Sequence, residues 1–320
     1  MAILEIFKLI TLVLVIYISK CHSQVPPPIP TTRGCDCDIS ICDACDFGPT
    51  CTTVASGGAI TGMNCIVVTA DADSIRGTGG DDCIKVMGST VGRISSLAGE
   101  DCIMIEDSTI TDTISGDNDD DCIIVTSSTV QRTVGVNGDD TIIFRGSRIA
   151  DITDTDQLIS GITGNDCIQI LDNENGPSIV GDVSGGVNND CVEVANSQTN
   201  RVTGFDGDDF LDVRCSLIET ISGGSGNDIL YGSSITIQPT AASPTILNGG
   251  SGDDLMIATG DIIPTAMVQS PSMFGETGDA DFCCSRVNQN SLRLSECDFI
   301  ACPTQVPGCG RRLTDCQSAN

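Results

Sequence analysis

Apolar and polar residues alternate over short stretches of this chain, and the stretches recur. GDDCIKV (80–86), GEDCIMI (99–105), DDDCIIV (119–125), GDDTIIF (138–144), GNDCIQI (164–170), NNDCVEV (188–194), GDDFLDV (207–213), GNDILYG (226–232) and GDDLMIA (252–258) are variants of one phrase. Two residues after its fixed aspartate stand Ile84, Ile103, Ile123, Ile142, Ile168, Val192, Leu211, Leu230 and Met256. Four after it stand Val86, Ile105, Val125, Phe144, Ile170, Val194 and Val213, before Gly232 and Ala258 break the series. Apolar residues at period two predict a short strand with these positions facing inward. Seven after the aspartate, Ser89, Ser108, Ser128, Ser147, Ser197 and Ser216 predict a turn. A second apolar pair follows, as in Val91/Ile94, Ile149/Ile152 and Ile218/Ile221. Each repeat thus reads turn, strand, turn, strand.

The fixed residue is Asp82, Asp101, Asp121, Asp140, Asp166, Asp190, Asp209, Asp228 and Asp254, at spacings of 19, 20, 19, 26, 24, 19, 19 and 26. A weaker copy, MNCIVV (63–68), precedes these, and GDADFC (278–283) extends them. A period near 20 is the signature of a solenoid, with the longer intervals expected as insertions into one loop. The predicted fold is all-β: a single elongated parallel β-solenoid (β-roll or β-helix) of about ten coils with cysteine-rich caps. Along the chain this gives a signal peptide (1–23), a Pro-rich lead-in and Cys-rich N-terminal cap (24–52), the solenoid (53–282) and a Cys-rich C-terminal segment (283–320). The signal reading rests on Lys8, the apolar run 9–18 and small residues before Gln24; the run is too short for a membrane span.

Composition narrows the chemistry. The chain of 320 residues carries a net charge of −29, which excludes nucleic-acid binding through a basic face. Its 44 acids divide into 36 Asp and 8 Glu, a skew toward turns and hard-cation sites rather than helix surfaces. The one His, His22, falls in the signal segment, so no Ser–His–Asp or Cys–His machinery is expected in the mature chain. The 19 cysteines point to disulfides in an oxidising, secreted setting rather than to zinc thiolates.

Five cysteines crowd 35–51, and six others form a column just after the aspartate or its equivalent: Cys65, Cys83, Cys102, Cys122, Cys167 and Cys191. Stacked coils would hold these Cα atoms ~4.8 Å apart, inside the disulfide window. Thr141 interrupts the column, leaving even runs and suggesting coil-to-coil staples Cys65–Cys83, Cys102–Cys122 and Cys167–Cys191. Free thiols packing as small apolar groups are the alternative.

The aspartates pose an electrostatic problem. Neighbours ~4.8 Å apart repel by roughly 0.9 kcal/mol in bulk water and ~3.5 kcal/mol at an effective dielectric of 20. Asp81, Glu100, Asp120, Asp139, Asp208 and Asp253, each just before a column member, add to this. Either divalent cations relieve the repulsion, or each carboxylate accepts turn N–H bonds as a corner cap. GGSGNDILYG (223–232) and GGSGDDLMI (249–257) resemble the hemolysin-type (RTX) calcium-binding nonapeptide, G-G-x-G-x-D-x-U-x. That resemblance implies a parallel β-roll in which Asp228 and Asp254 bind calcium together with turn carbonyls around Gly224, Gly226, Gly250 and Gly252. The other seven repeats keep the aspartate and usually a nearby Gly but read as lacking the leading Gly pair, so any calcium would form one column along one edge.

The function expected is a secreted, acidic structural or extracellular-matrix protein, associated with calcium and meeting a calcium mineral surface or other matrix proteins. A carbohydrate-active β-helix enzyme, a lyase or hydrolase, is the alternative. Its paired carboxylates recur in every coil as architecture does, and Arg93, Arg132, Arg148 and Arg201 form no evident cluster, so no catalytic residue is assigned. An ice-binding solenoid is the third class, and it would need a flat outward array of Ser or Thr. The outward residues of the first strand (Lys85, Met104, Ile124, Ile143, Gln169, Glu193, Asp212, Tyr231) do not make one.

Overall fold

The structure, a computed structural model, describes residues 35, 37–48, 51–55, 57–62, 64–150, 158–237, 245–259, 263–264, 272–275, 282–285 and 293–295. The signal, the lead-in to residue 34 and most of the C-terminal cysteine-rich segment lie outside them.

Two parallel sheets are wound from a single theme repeated coil by coil. Sheet A has twelve strands, from Thr52–Val54 through Cys83–Met87, Cys102–Glu106, Cys122–Thr126 and onward to Phe282–Ser285. Sheet B runs from Ala59–Thr61 through Thr90–Ala98, Thr109–Asn118 and Thr129–Asn137 to Arg293–Ser295. Successive strands of each sheet come from successive coils and pair in parallel, for example Ile103↔Ile123 in sheet A and Ile94↔Ile114 in sheet B. The fold is a parallel β-solenoid, with two more strands in sheet A than the ten coils expected. The extra pair are the strand at 52–54 and Phe282–Ser285, which begins inside GDADFC.

Period-two alternation does what the sequence dictates. Ile84, Ile103, Ile123, Ile142 and Ile168 are fully buried, as are Val86, Ile105, Val125, Phe144 and Ile170. They meet Val91, Ile94, Ile110, Ile114 and Ile159 from sheet B across a thin interior, where β-branched residues suit both the strand backbone and the space. Where Gly232 breaks the inward series, Ile235 fills the gap: a Cβ on Gly232 would lie 2.9 Å from its Cδ1. Serines at the far corner are buried and hydrogen-bonded rather than merely turn-forming. The amide of Ser108 donates to Oγ of Ser128 (3.0 Å), and Oγ of Ser108 donates to the carbonyl of Glu106 (2.6 Å).

The insertions do not share one loop. Between Asp166 and Asp190 the extra residues form the Asn173–Gly176 turn at the serine corner. Between Asp140 and Asp166 they fall after Ile149, between strands of sheet B.

The N-terminal cysteine segment is not an end cap. It lies along the outer face of sheet A as a strap running against the order of the coils. Cys51 bonds Cys65, Cys45 bonds Cys83, Cys42 bonds Cys102, Cys37 bonds Cys167 and Cys35 bonds Cys191. The coil-to-coil staples Cys65–Cys83, Cys102–Cys122 and Cys167–Cys191 therefore do not form. These pairs are in register, so their Cβ vectors run side by side about one strand spacing (~4.8 Å) apart, beyond the ~3.5–4.5 Å that a disulfide needs between Cβ atoms. A strap facing the column can approach each sulfur from outside. Cys122 is left free and fully buried, beside Cys42. The strap includes a short helix, Ser40–Ala44, and covers Ile124 and Ile143, which explains aliphatic residues on the outward side of a strand.

Candidate functional site

The nine aspartates all sit at one corner, where sheet B turns into sheet A. Asp82, Asp101, Asp121, Asp140, Asp166, Asp190, Asp209, Asp228 and Asp254 are each at most 2% exposed. The turn places them there by backbone shape. Four residues before the aspartate the backbone is left-handed in Leu97, Asp117, Val136, Ile162, Gly186, Phe205, Gly224 and Gly250. Two before it the same holds for Gly99, Asp119, Gly138, Gly164, Asn188, Gly207, Gly226 and Gly252. Every coil from Asp101 onward thus has the same double kink, whether or not its sequence shows the full glycine motif.

Inside this turn the carboxylates form a ladder with the backbone. The amide of Asp82 donates to Oδ1 of Asp101 (2.7 Å), that of Asp101 to Asp121 (3.0 Å) and that of Asp121 to Asp140 (2.9 Å). The series continues through Asp166, Asp190, Asp209 and Asp228 to Asp254 with distances of 2.8 to 2.9 Å. Corner capping is therefore real, but from Asp121 to Asp228 it uses only one oxygen of each carboxylate. Oδ2 of Asp121, Asp140, Asp166, Asp190, Asp209 and Asp228 is buried without a hydrogen-bond partner. Asp82, at the start of the column, differs: the amide of Thr78 donates to its Oδ2 (2.6 Å).

A second conserved position of the turn escaped the repeat pattern. Five residues before the aspartate stand Gly77, Gly116, Gly135, Gly161, Gly185, Gly204, Gly223 and Gly249. A Cβ at any of them would lie 1.7–2.3 Å from Oδ2 of its aspartate. The first glycine of the leading pair is thus kept in nearly every coil, because the carboxylate occupies the space of its side chain. Ser96 replaces it in one coil, and its Oγ donates to the carbonyl of Gly116 (2.7 Å). Counting backwards from the aspartate at a fixed offset exposes this column.

Burial dominates the electrostatics, and neighbouring carboxylates add to it. The carboxyls of Asp101 and Asp209 are pushed up to about 6, that of Asp166 to about 7, those of Asp140, Asp190 and Asp228 to about 8 and that of Asp121 to about 9. Hydrogen bonds from the backbone oppose the shift without cancelling it.

Outside this buried line runs an exposed one. The residues just before the column aspartates stack too, but their bonds point the other way along the rod. The amide of Asp139 donates to Oδ1 of Asp120 (2.8 Å), that of Asn165 to Asp139 (2.7 Å) and that of Asn227 to Asp208 (2.7 Å). Side-chain amides of Asn165 and Asn227 also donate to those aspartates (3.2 Å each), partly neutralising the C-terminal half. Asp81, Glu100, Asp120 and Asp139 stack without such an interruption.

In donor chemistry the corner fits a hard cation: its orphaned atoms are buried carboxylate oxygens in successive coils. Among the described residues, however, no three carboxylates converge. The single group of three closely spaced acidic or thiol side chains is Cys35, Cys167 and Cys191, all held in disulfides. A cation at the corner would take one or two carboxylate oxygens and complete its shell from carbonyls or water. No protein-family model, curated protein or solved structure matches this chain.

Proposed function

We propose that this chain is a secreted structural protein of an extracellular matrix, a disulfide-strapped rod whose aspartate corner takes up calcium. The observation that carries this reading is the line of orphaned Oδ2 atoms. Six buried carboxylate oxygens in successive coils have no hydrogen-bond donor, and bare negative charge in such a place is strongly disfavoured. The corner thus needs either protons or cations, and calcium, by displacing those protons, meets the need of several coils at once. The double left-handed kink supports kinship in form with the hemolysin-type calcium repeat, extended from the two matching motifs to the whole column. Five disulfides to the strap suit an oxidising compartment and a rod built for rigidity. The exposed acidic row beside the corner gives such a rod a face for a calcium mineral or for other matrix components.

Equilibrium dialysis with calcium, combined with thermal melts in calcium and in chelator, tests the reading. Binding of several ions per chain with a higher melting temperature in calcium is expected. An absence of binding together with superimposable melts would sink it.

A further inference from the structure

The solenoid gathers three arginines that lie far apart in the sequence. Arg93 is in register with Ser74 of the preceding coil, and Arg132 with Thr113. The next residues along, Ile94 and Thr133, both pair with Ile114, so Arg93, Thr113 and Arg132 form one row across sheet B. Arg76 stands in the adjacent row, in register with Ser95. Ile75 and Ile94 beside these arginines are buried, so the arginines themselves point outward. Arg76 and Arg93 are exposed, and Arg132 is half-buried.

In a chain with 44 acids and 15 bases, an arginine without a carboxylate is the anomaly. Further along sheet B, Nε of Arg201 donates to Oδ2 of Asp182 in the preceding coil (3.1 Å). Lys85 is paired with Glu106, and Arg214 with Glu193 and Asp212. Arg76, Arg93 and Arg132 form no ion pair among the described residues, and Nε of Arg132 is buried without a hydrogen-bond partner. The acids of the intervening strand are engaged by hydroxyls instead. Asp112 accepts from Thr113 (3.1 Å), and Asp117 accepts from Ser95 and Ser115. Guanidinium groups left free in so acidic a molecule point to an anion from outside the chain.

We infer that this face of sheet B binds a sulfated polysaccharide. A sulfate ester offers the paired oxygens that a guanidinium fork grips. Arg93 and Arg132 are two strand spacings apart, about 10 Å, which suits charges carried at intervals along an extended chain. Between the arginines the rows present Ser and Thr and no large apolar side chain, so a lipid surface finds nothing to insert. Nucleic-acid binding uses aromatic platforms or a broad basic face, and three arginines on an acidic rod supply neither. The aspartate corner does not cancel the patch. Strand Thr90–Ala98 runs on for five residues after Arg93, roughly 16 Å and about twice the Debye length at physiological salt, before the chain turns into that corner. The inference therefore stands apart from calcium binding.

Fluorescence anisotropy with a labelled heparin oligosaccharide tests it, in chelator at physiological salt so that calcium cannot bridge sulfate to the acidic corner. Saturable binding is expected, weakened at least about tenfold in the double variant Arg93→Gln and Arg132→Gln. Arg145→Gln removes an exposed arginine from sheet A and should leave affinity within about twofold of the parent. Arg93→Gln alone should weaken binding severalfold, and serves if the double variant does not fold. Unlabelled desulfated heparin and duplex DNA should compete poorly. No saturable binding, undiminished binding in the double variant, or an equal loss in Arg145→Gln would overturn the inference, as would competition by desulfated heparin or duplex DNA as strong as by heparin itself.

Discussion

The amide of Asp121 donates to Oδ1 of Asp140 in the next coil, and the same atom pair recurs along the column. Each carboxylate is thereby tied to its neighbour through backbone, while its second oxygen is left to a proton or a cation. That division of labour makes the column both a structural spine and a titratable one.

Stability in chelator should fall as pH rises. The folded pKa values of about 6 to 9 lie above the ordinary carboxyl value of 3.8, so between these limits the folded chain holds more protons than the unfolded one. Raising pH then favours unfolding. The contribution is complete below about pH 4 and is lost progressively as pH rises from there through the folded values at pH ~6–9. Melts followed by circular dichroism from pH 4 to 9 should show a declining melting temperature in chelator and a flatter profile in calcium. A profile that rises with pH in chelator contradicts a protonated buried column.

Asp140 separates the two oxygens' roles. Asp140→Asn keeps an acceptor for the Asp121 amide and removes the charge, so at pH 8 in chelator it should match or exceed the parent in stability. Its calcium response should shrink. Asp140→Ala leaves the Asp121 amide buried and unpaired, at a cost of about 1–3 kcal/mol under all conditions. Urea unfolding of the two variants with and without calcium reads both effects, and equal destabilisation by Asn and Ala would refute the division of roles.

Much of this was legible because it is periodic. Ile84, Ile103 and Ile123 announce an inward row, and Asp82 to Asp254 a corner, since each coil repeats one local solution. Gly135 and its equivalents were equally periodic but lay upstream of the phrase that defines the repeat. The left-handed kink at Val136 and Ile162 was hidden, because β-branched residues ordinarily signal extended strand. Disulfide partners were not legible either. Pairing Cys37 with Cys167 depends on a strap crossing the sheet from outside, and spacing along the chain carries no trace of that path. Ile124 and Ile143 held the one hint, two aliphatic residues at outward positions that needed a cover.

At Gly135, five before the aspartate, substitution should be resisted because of the carboxylate. A Cβ on Gly135 would lie 1.8 Å from Oδ2 of Asp140, whereas one on Gly79 would meet nothing within 4 Å. Gly135→Ala should cost about 1–3 kcal/mol by overpacking, and Gly79→Ala should stay within about 0.5 kcal/mol of the parent. Denaturant midpoints decide this, and equal effects at the two positions would show that the close approach is absent in solution.

The strap offers the sharpest check on the architecture. Peptide mapping without reduction should recover Cys35–Cys191, Cys37–Cys167, Cys42–Cys102, Cys45–Cys83 and Cys51–Cys65, and recovery of Cys65–Cys83 or Cys102–Cys122 instead would reject the strap. Cys122 should react with a thiol reagent only after unfolding: it is fully buried, and burial pushes its thiol up to about 12. The long links should matter most for stability. Cys37–Cys167 joins residues 130 apart, so replacing both by Ser removes a constraint worth on the order of 4–5 kcal/mol in the chain-entropy picture. Cys51–Cys65 spans 14 residues, and its loss should cost nearer ~3 kcal/mol. If instead the short link mattered more, the strap would be stabilising the first coil locally rather than clamping the stack, and the clamping role assigned to it would have to be withdrawn.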